Sequence, residues 1–345
     1  MAEDKKKKAV EEQIPEDVAL YLRNLNVKFV LEKETVEAVN GIDITLKKGH
    51  TLGLAGETGA GKTTTALSLL RLVPHPGKVE CDRLIVDGKD VLSMNAKELQ
   101  KFRGADLAMI FQDPMTSLNP VFTVGQQIAD AIMLHNPTTK EQAFKKAEEM
   151  LELVGIPAVR AVEYPHQFSG GMKQRVVIAI ALACNPSVLI ADEPTTALDV
   201  TIQAQVIAMM KKLRDDRGMS MIMITHDLGI IADVCDEVAI MYAGRIIEYG
   251  TLRDVFNHTK HPYTEGLFNS LPNIRNRSER LKPIPGLMPD PSNLPKGCAF
   301  APRCRYCTAA CLEKRPEDRM VSDTHMVACT AYDNPDFRID RPEKN

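Results

Sequence analysis

A glycine-spaced loop that ends in lysine and threonine is built to hold phosphate. Such a loop lies within "TLGLAGETGAGKTTTALSLLRL". Gly56, Glu57, Thr58, Gly59, Ala60, Gly61, Lys62, Thr63 and Thr64 fit the pattern G-x-x-x-x-G-K-[ST] and the residue that follows it. The glycines let backbone N–H groups wrap a phosphate at a helix N-terminus, where the helix dipole adds attraction. Lys62 then reaches the β- and γ-phosphates, and the Thr63 hydroxyl ligates magnesium. The chemistry needs a strand before the loop and a helix after it. Thr51 to Ala55 is a short apolar run and the residues after Lys62 are patterned as a helix, so a glycine turn that merely starts a helix is the weaker reading.

Two further strand-like runs end in titratable groups placed, like the phosphate loop, at a strand end. "PSVLIADEPTTALD" carries an apolar run from Val188 to Ala191 that leads into Asp192 and Glu193. A carboxylate at that strand end holds the metal, directly or through water, and the next one is the candidate base for the attacking water. An isolated Asp-Glu pair is ordinarily solvated surface; its place beside a phosphate loop reverses that reading. "MSMIMITHD" ends in His226, a residue type more often found on the surface or satisfied in a core, here at the end of a third core strand.

Between these strands, "FSGGMKQRVVIAIALACNP" puts Ser169, Gly170 and Gly171 ahead of an apolar-faced helix, where they bind an anion or simply cap the helix. "FQDPMTSLNP" contains Gln112. With the phosphate loop, this serine-glycine-glycine stretch, "LIADEPTTALD" and "ITHD" in one order, the chain resembles the ATP-binding subunits of ABC transporters. The resemblance implies an α/β fold: a P-loop NTPase core with a parallel sheet, an antiparallel β flap, an inserted helical subdomain and a loop-rich C-terminal extension. "VALYLRNLNVKF" and "EAVNGIDITLKKG" fit the flap, and "TKEQAFKKAEEMLELVGI" fits a helix of the insert. The implied division is a disordered tail over 1–17, a nucleotide-binding domain over 18–260 with its helical subdomain at about 113–170, and an extension over 261–345.

The same resemblance assigns roles. Glu193, His226 and Gln112 are the catalytic set, with Gln112 on the magnesium and attacking water and His226 on the γ-phosphate. Thr63, Gln112 and Asp192 face magnesium. Ser169, Gly170 and Gly171 meet a nucleotide held by the opposite subunit, Asp199 lies at the contact between subunits, and ATP sits between two head-to-tail chains. Phe29 is the aromatic in the stretch where the family stacks adenine, and it serves equally as core. "FSGGM" replaces the commoner LSGGQ but keeps the serine and glycines.

The tail narrows the branch. "HPYTEGLFNSLP" and "IPGLMPDPSNLPKGCAFAPRC" look like the C-terminal region of oligopeptide and dipeptide importer ATPases, a branch shared by nickel and glutathione importers. The proline density from Pro272 to Pro302 predicts a loop-rich segment that buries little, for which a metal crosslink would supply order. Of eight cysteines, Cys81, Cys184 and Cys235 are scattered among apolar neighbours, while Cys298, Cys304, Cys307, Cys311 and Cys329 crowd the end. Cys304-x2-Cys307 with His325-x3-Cys329 would make a tetrahedral zinc site, with a long interval between its halves. Cys298, Cys304, Cys311 and Cys329, at x5, x6 and x17 spacing, instead suit an iron-sulfur cluster, and spacing leaves both open. The family implies a [4Fe-4S] cluster on those four, with Cys307 spare.

Composition sets the surroundings. The 43 Lys+Arg and 46 Asp+Glu of the 345 residues leave a net charge of -3, so no nucleic-acid partner is written in the balance. "MAEDKKKKAVEEQIPED" lacks the apolar stretch of a secretory signal, and no apolar run reaches the roughly 20 residues that span a bilayer. The expected setting is reducing, at the cytoplasmic face of a prokaryotic cell membrane. The resemblance implies a paralogous ATPase subunit, two membrane permease subunits and, indirectly, an extracytoplasmic binding protein, with "DPMTSLNPVFTVGQQI" at the docking face. The rival readings are a soluble ABC ATPase acting on DNA or the ribosome, and an iron-sulfur redox enzyme with a vestigial nucleotide site.

Overall fold

β1 (Val18–Val30) is buried on both faces over Val18–Leu22 and alternates beyond Asn24, β2 (Thr35–Lys47) alternates over its second half, and the two pair antiparallel from Val18 with Lys47 to Val30 with Thr35. The computed structural model describes residues 14–196, 198–270 and 283–339. The tail expected over 1–17 therefore lies outside the described residues as far as residue 13. β4 (Gly77–Glu80), β5 (Arg83–Val86) and β6 (Lys89–Asp90) complete this antiparallel sheet, the flap foreseen from the sequence.

The main sheet runs in the order β12-β13-β11-β10-β3-β9-β8-β7. Its centre is parallel: β10 (Glu237–Tyr242), β3 (Thr51–Ala55), β9 (Ser220–Ile224), β8 (Val188–Asp192) and β7 (Leu107–Ile110). β3, β8 and β9 are buried at every residue, as expected of parallel strands covered on both faces. Their period of two divides the core. Val188, Ile190, Ile222 and Ile224 pack with the flap, while Leu189, Ala191, Met221 and Met223 pack on the opposite side with the helices.

The connections supply those helices. α1 (Lys62–Leu69) follows β3, and α2 (Ala96–Ala105) precedes β7. Between β7 and β8 lie α3 (Pro114–Ser117), α4 (Val124–His135), α5 (Lys140–Leu153) and α6 (Gly170–Leu182). Thr123 caps α4, and Thr139 caps α5 in a capping box with Gln142, so the helix anticipated from "TKEQAFKKAEEMLELVGI" has its start written in sequence. α7 (Val200–Arg217) and α8 (Leu228–Val234) flank β9.

The loop-rich segment expected from Pro272 to Pro302 lies outside the described residues as far as residue 282, and over 283–302 it is irregular and mostly exposed or half-buried apart from a short 3-10 turn at Ala301–Arg303. Beyond it, the chain after β11 (Arg245–Thr251) returns to the sheet. α9 (Leu252–Asn257) and α10 (Pro262–Asn269) lead to a module with α11 (Ala309–Glu313), and β13 (His325–Val327) extends the main sheet antiparallel to β11, with β12 (Arg319–Ser322) antiparallel to β13 at the edge. Phe300, Ala301, Cys311, Val327 and Ala328 are all buried. Apolar side chains set between prolines, with two short paired strands, supply the burial that proline density hides.

Candidate active site

The carboxyl ends of four adjacent parallel strands meet at one edge of the sheet, the place where open α/β sheets bind ligands. β3 delivers the phosphate loop, β9 His226, β8 Asp192 and Glu193, and β7 Gln112. Thr58, Gly59, Gly61, Lys62, Thr63, Thr64, Gln112, Glu193 and His226 line a single cleft of about 410 Å³.

Backbone sterics explain the glycines. Gly61, at the N-cap of α1, has φ 102°, and a Cβ there would sit 2.5 Å from the Ala38 carbonyl oxygen. At Gly56, with φ 153°, a Cβ would lie 2.3 Å from the Met241 carbonyl oxygen. Ala60 is buried behind the loop, and the Glu57 side chain turns away from the cleft to Arg303. Lys62 is buried and its Nζ donates to the carbonyls of Gly56 (2.8 Å) and Glu57 (2.9 Å). Burial lowers its pKa, and the carboxylates of Glu193, Asp192 and Glu57 oppose that shift.

Asp192 ends β8 only 1% exposed, and its Oδ1 has no hydrogen-bond partner. Burial raises its pKa, against a hydrogen bond from Thr63. A buried carboxylate oxygen left without a donor beside a threonine hydroxyl is a place a hard cation satisfies, so Thr63 and Asp192 fit magnesium.

Glu193 follows with φ 47°, in the left-handed region, its backbone N–H held by the Ile224 carbonyl at 2.8 Å. Oε2 accepts from Gln112 Nε2 (3.0 Å) and Thr196 Oγ1 (2.9 Å), and Oε1 lies 3.3 Å from His226 Nδ1. Burial pushes its pKa up, but the bonds from Thr196, His226 and Gln112 outweigh it and hold the carboxyl below its ordinary value. The result is a carboxylate in the wall of the cleft, kept below its ordinary pKa by three side chains.

Not every expected residue gathers here. Phe29 is partly buried and does not line the cleft; its cross-strand partner Val36 does. Val36, Ala38 and Pro291 complete the wall without any motif to mark them. Ser169 caps α6 through the Met172 N–H, and Ser169, Gly170 and Gly171 lie outside the cleft of their own chain. A Cβ at Gly171 would come 2.6 Å from Ile202 Cγ2, while one at Gly170 would meet open space. Asp199 caps α7 by accepting from Ile202 N at 2.9 Å, beside Val200, which is 83% exposed.

The late cysteines are neighbours of one another. The Cys298 N–H donates to the Cys311 carbonyl at 2.7 Å, and Thr308 Oγ1 and Thr330 Oγ1 both lie 3.4 Å from Cys311 Sγ. Burial pushes the thiols of Cys304 to about 11 and Cys329 to about 12, against backbone N–H bonds from Tyr306 and Ala331. Cys329 also feels like charge from Cys298, Cys304 and Cys311, and Cys304 from Cys298, Cys311 and Cys307. Cys311 goes the other way, because the threonine bonds outweigh burial. Cys307 is exposed. His325 faces Glu248 instead, with Nε2 at 2.8 Å from Oε1. Among the described residues no group of three or more His, Cys, Asp or Glu side chains is arranged to hold a metal ion.

Residues 39–196 match the ABC transporter family, and residues 247–311 match the oligopeptide/dipeptide transporter C-terminal region. The dipeptide transport ATP-binding protein DppD of Bacillus subtilis is 47% identical over 317 residues, covering 91% of this chain and 95% of the relative. The chain belongs to the ABC transporter ATP-binding proteins. The oligopeptide transport ATP-binding protein OppD of the same organism is 47% identical over 328 residues, 94% of this chain and 92% of its own. Among solved structures, a dimeric ATP-binding cassette in a post-hydrolysis state bound to ADP and Pi aligns with TM-score 0.60 at 26% identity, over 68% of this chain and 99% of that one. The cbiO1 cassette of Clostridium perfringens gives 0.59 at 29%, over 70% and 91%. This ABC transporter ATP-binding protein thus shares its fold with cassettes solved as dimers, which accords with signature residues lying outside their own chain's cleft.

Proposed function

We propose that this chain is the ATP-hydrolysing motor of a multisubunit importer that moves di- or oligopeptides through separate permease subunits. The carrying observation is the convergence of Lys62, Thr63, Gln112, Glu193 and His226 on one cleft in a chain whose C-terminal region matches peptide transporters. Among the described residues no helix is long and apolar enough to cross a membrane, in keeping with permeases on other chains. The reading places the protein at the cytoplasmic face of a prokaryotic cell membrane, as a head-to-tail dimer with a paralogous ATPase. The proposed division is a nucleotide-binding domain over 18–260, a helical subdomain at about 113–170 facing the permeases, and an extension from 261.

In this reading Lys62 leaves the loop carbonyls to grip the terminal phosphates, and Thr63, Asp192 and Gln112 would hold magnesium. The ion supplies charge neutralisation of the phosphate oxygens. Glu193, kept ionised by its three donors, orients the attacking water and takes its proton as the oxygen bonds to the γ-phosphorus. The bond to the bridging oxygen breaks, and ADP and phosphate leave. His226, exposed and turned to Glu193, steadies the γ-phosphate. Ser169, Gly170 and Gly171 close over the nucleotide of the opposite subunit, so losing the γ-phosphate loosens the dimer and moves the permeases.

The test is uptake. Proteoliposomes containing this chain, its companion ATPase and both permeases should accumulate a labelled dipeptide supplied with its binding protein, only with ATP inside. Hydrolysis with no uptake of any di- or oligopeptide would remove the substrate assignment.

The finer reading of the tail is a [4Fe-4S] cluster on Cys298, Cys304, Cys311 and Cys329. Its support is the exposure of Cys307, the backbone and threonine donors to the sulfurs of the other four, and the engagement of His325 with Glu248. Such a cluster would tie the loops of the extension together. Anaerobically purified protein should be brown and contain iron and sulfide, and Cys307→Ser should keep both while Cys311→Ser loses them. A colourless protein containing zinc would replace the cluster with a mononuclear site.

A further inference from the structure

Arg303, one residue before Cys304, reaches across the molecule to the phosphate loop. Its guanidinium makes a two-pronged ion pair with Glu57: Nη1 to Oε2 at 2.9 Å and Nη2 to Oε1 at 3.1 Å. Nη1 also donates to Tyr242 Oη (3.3 Å), and Nε donates to the Pro285 carbonyl (2.9 Å). The arginine side chain is 6% exposed and the glutamate 31%, so this is no solvent-screened surface pair.

Glu57 belongs to the phosphate loop, and each of its polar groups is committed. Its N–H donates to Tyr263 Oη at 2.9 Å, its carbonyl accepts from Lys62 Nζ, and its carboxylate is held by Arg303. Lys62 must release the Gly56 and Glu57 carbonyls to reach a phosphate. The Ala60 N–H still holds the Glu57 carbonyl at 3.1 Å, but from outside the loop Tyr263 and Arg303 are what keep Glu57, and with it the direction of the loop, in place. The turn that carries Arg303 is itself wedged: Phe300 lies edge-on to Tyr242 (5.3 Å) and to Tyr263 (5.4 Å).

We infer that Arg303 is a positioning residue of the ATP site, which preorganises the phosphate loop through Glu57 and couples nucleotide affinity to the Cys298–Cys304 turn. Nothing in the loop motif specifies such a partner, and the tail motif alone says nothing about nucleotide. The inference rests on the ATP reading of the cleft. Because the pair shapes the loop without touching the reacting atoms, its loss acts on binding more than on the chemical step.

The experiment measures ATP affinity with a fluorescent analogue, together with steady-state kinetics of the assembled transporter. The variants are Arg303→Gln, Glu57→Gln, the double variant, Arg303→Lys, and Lys62→Ala as reference. Arg303→Gln and Glu57→Gln should each weaken ATP binding and raise its KM about tenfold, with kcat at saturation nearly unchanged, and the double variant should be no worse than either single. Arg303→Lys, which keeps the charge but not the fork, should recover part of the affinity. If Arg303→Gln fails to fold, Glu57→Gln decides from the loop side. Wild-type affinity in Glu57→Gln, effects that add in the double variant, or a lowered melting temperature with unchanged KM would overturn the inference. Affinity lost in Lys62→Ala but not in the Arg303 and Glu57 variants would sink this inference alone; affinity unchanged in Lys62→Ala would sink the ATP site with it.

Discussion

The side-chain amide of Gln112 donates to Oε2 of Glu193 at 3.0 Å, joining the end of β7 to the end of its neighbour β8. Thr196 donates to the same oxygen, so the carboxylate is fixed from two directions before any nucleotide arrives. A base held this way loses aim when a donor goes. Gln112→Ala should reduce ATP turnover by about 10–100-fold, the range for removing a group that orients a site residue. Gln112→Glu would set a second carboxylate against Glu193, raise the pKa of the base and move the acid limb of the turnover profile to higher pH. Turnover measured across pH for both variants checks this, and a profile identical to wild type in Gln112→Glu would deny the contact any role.

Lys62 stands on the loop's own carbonyls, buried and with its pKa lowered chiefly by that burial. Removing it costs a charge-assisted contact to phosphate and leaves the buried Gly56 carbonyl and the part-buried Glu57 carbonyl without this donor. Lys62→Ala should weaken ATP binding by about 10–100-fold, the equivalent of one hydrogen bond to a charged group. Equilibrium titration beside a thermal melt separates the two effects; a lower melting temperature with normal affinity would make the lysine a structural group.

His261 makes the protein acid-sensitive. Its buried ring caps α10, accepting at Nδ1 from the Tyr263 N–H at 3.0 Å. Burial pulls its pKa down to about 3, against a hydrogen bond to the Ala328 backbone. The unfolded chain takes up this proton near pH 6.5, long before the folded chain does. Stability is therefore complete above that pH and is lost as the pH falls from there toward 3. The slope is about 1.4 kcal/mol per pH unit, or about 2 kcal/mol by pH 5. His261→Asn retains a capping acceptor and should flatten that slope. Urea unfolding at pH 7 and pH 5 measures it, and equal acid losses in the two proteins would clear His261 of the effect.

What sequence revealed and what it hid follow from range. The phosphate loop, the strand ends at Asp192 and His226 and the capped helix after Thr139 are local patterns, and each lies where its neighbours in sequence place it. Gln112 and Glu193 are also legible as motif residues, though their contact depends on β7 and β8 being adjacent. Arg303 and Glu57 are 246 residues apart, and no spacing rule links them. The loop-rich stretch was legible over 283–302, but the strands β12 and β13 beyond it are four and three residues long, too short for alternation to register the sheet edge they form. Phe29 shows the opposite failure: an aromatic in the right stretch, beside the strand residue that lines the cleft.

The most direct test is ATP hydrolysis by the assembled transporter with Glu193→Gln, with bound nucleotide assayed on the same sample. Turnover at the site formed by this chain should fall by about 10²–10⁴ while ATP stays bound. Near-normal turnover, or a variant that no longer retains ATP, would contradict the assignment of Glu193 as the base of a nucleotide-driven motor.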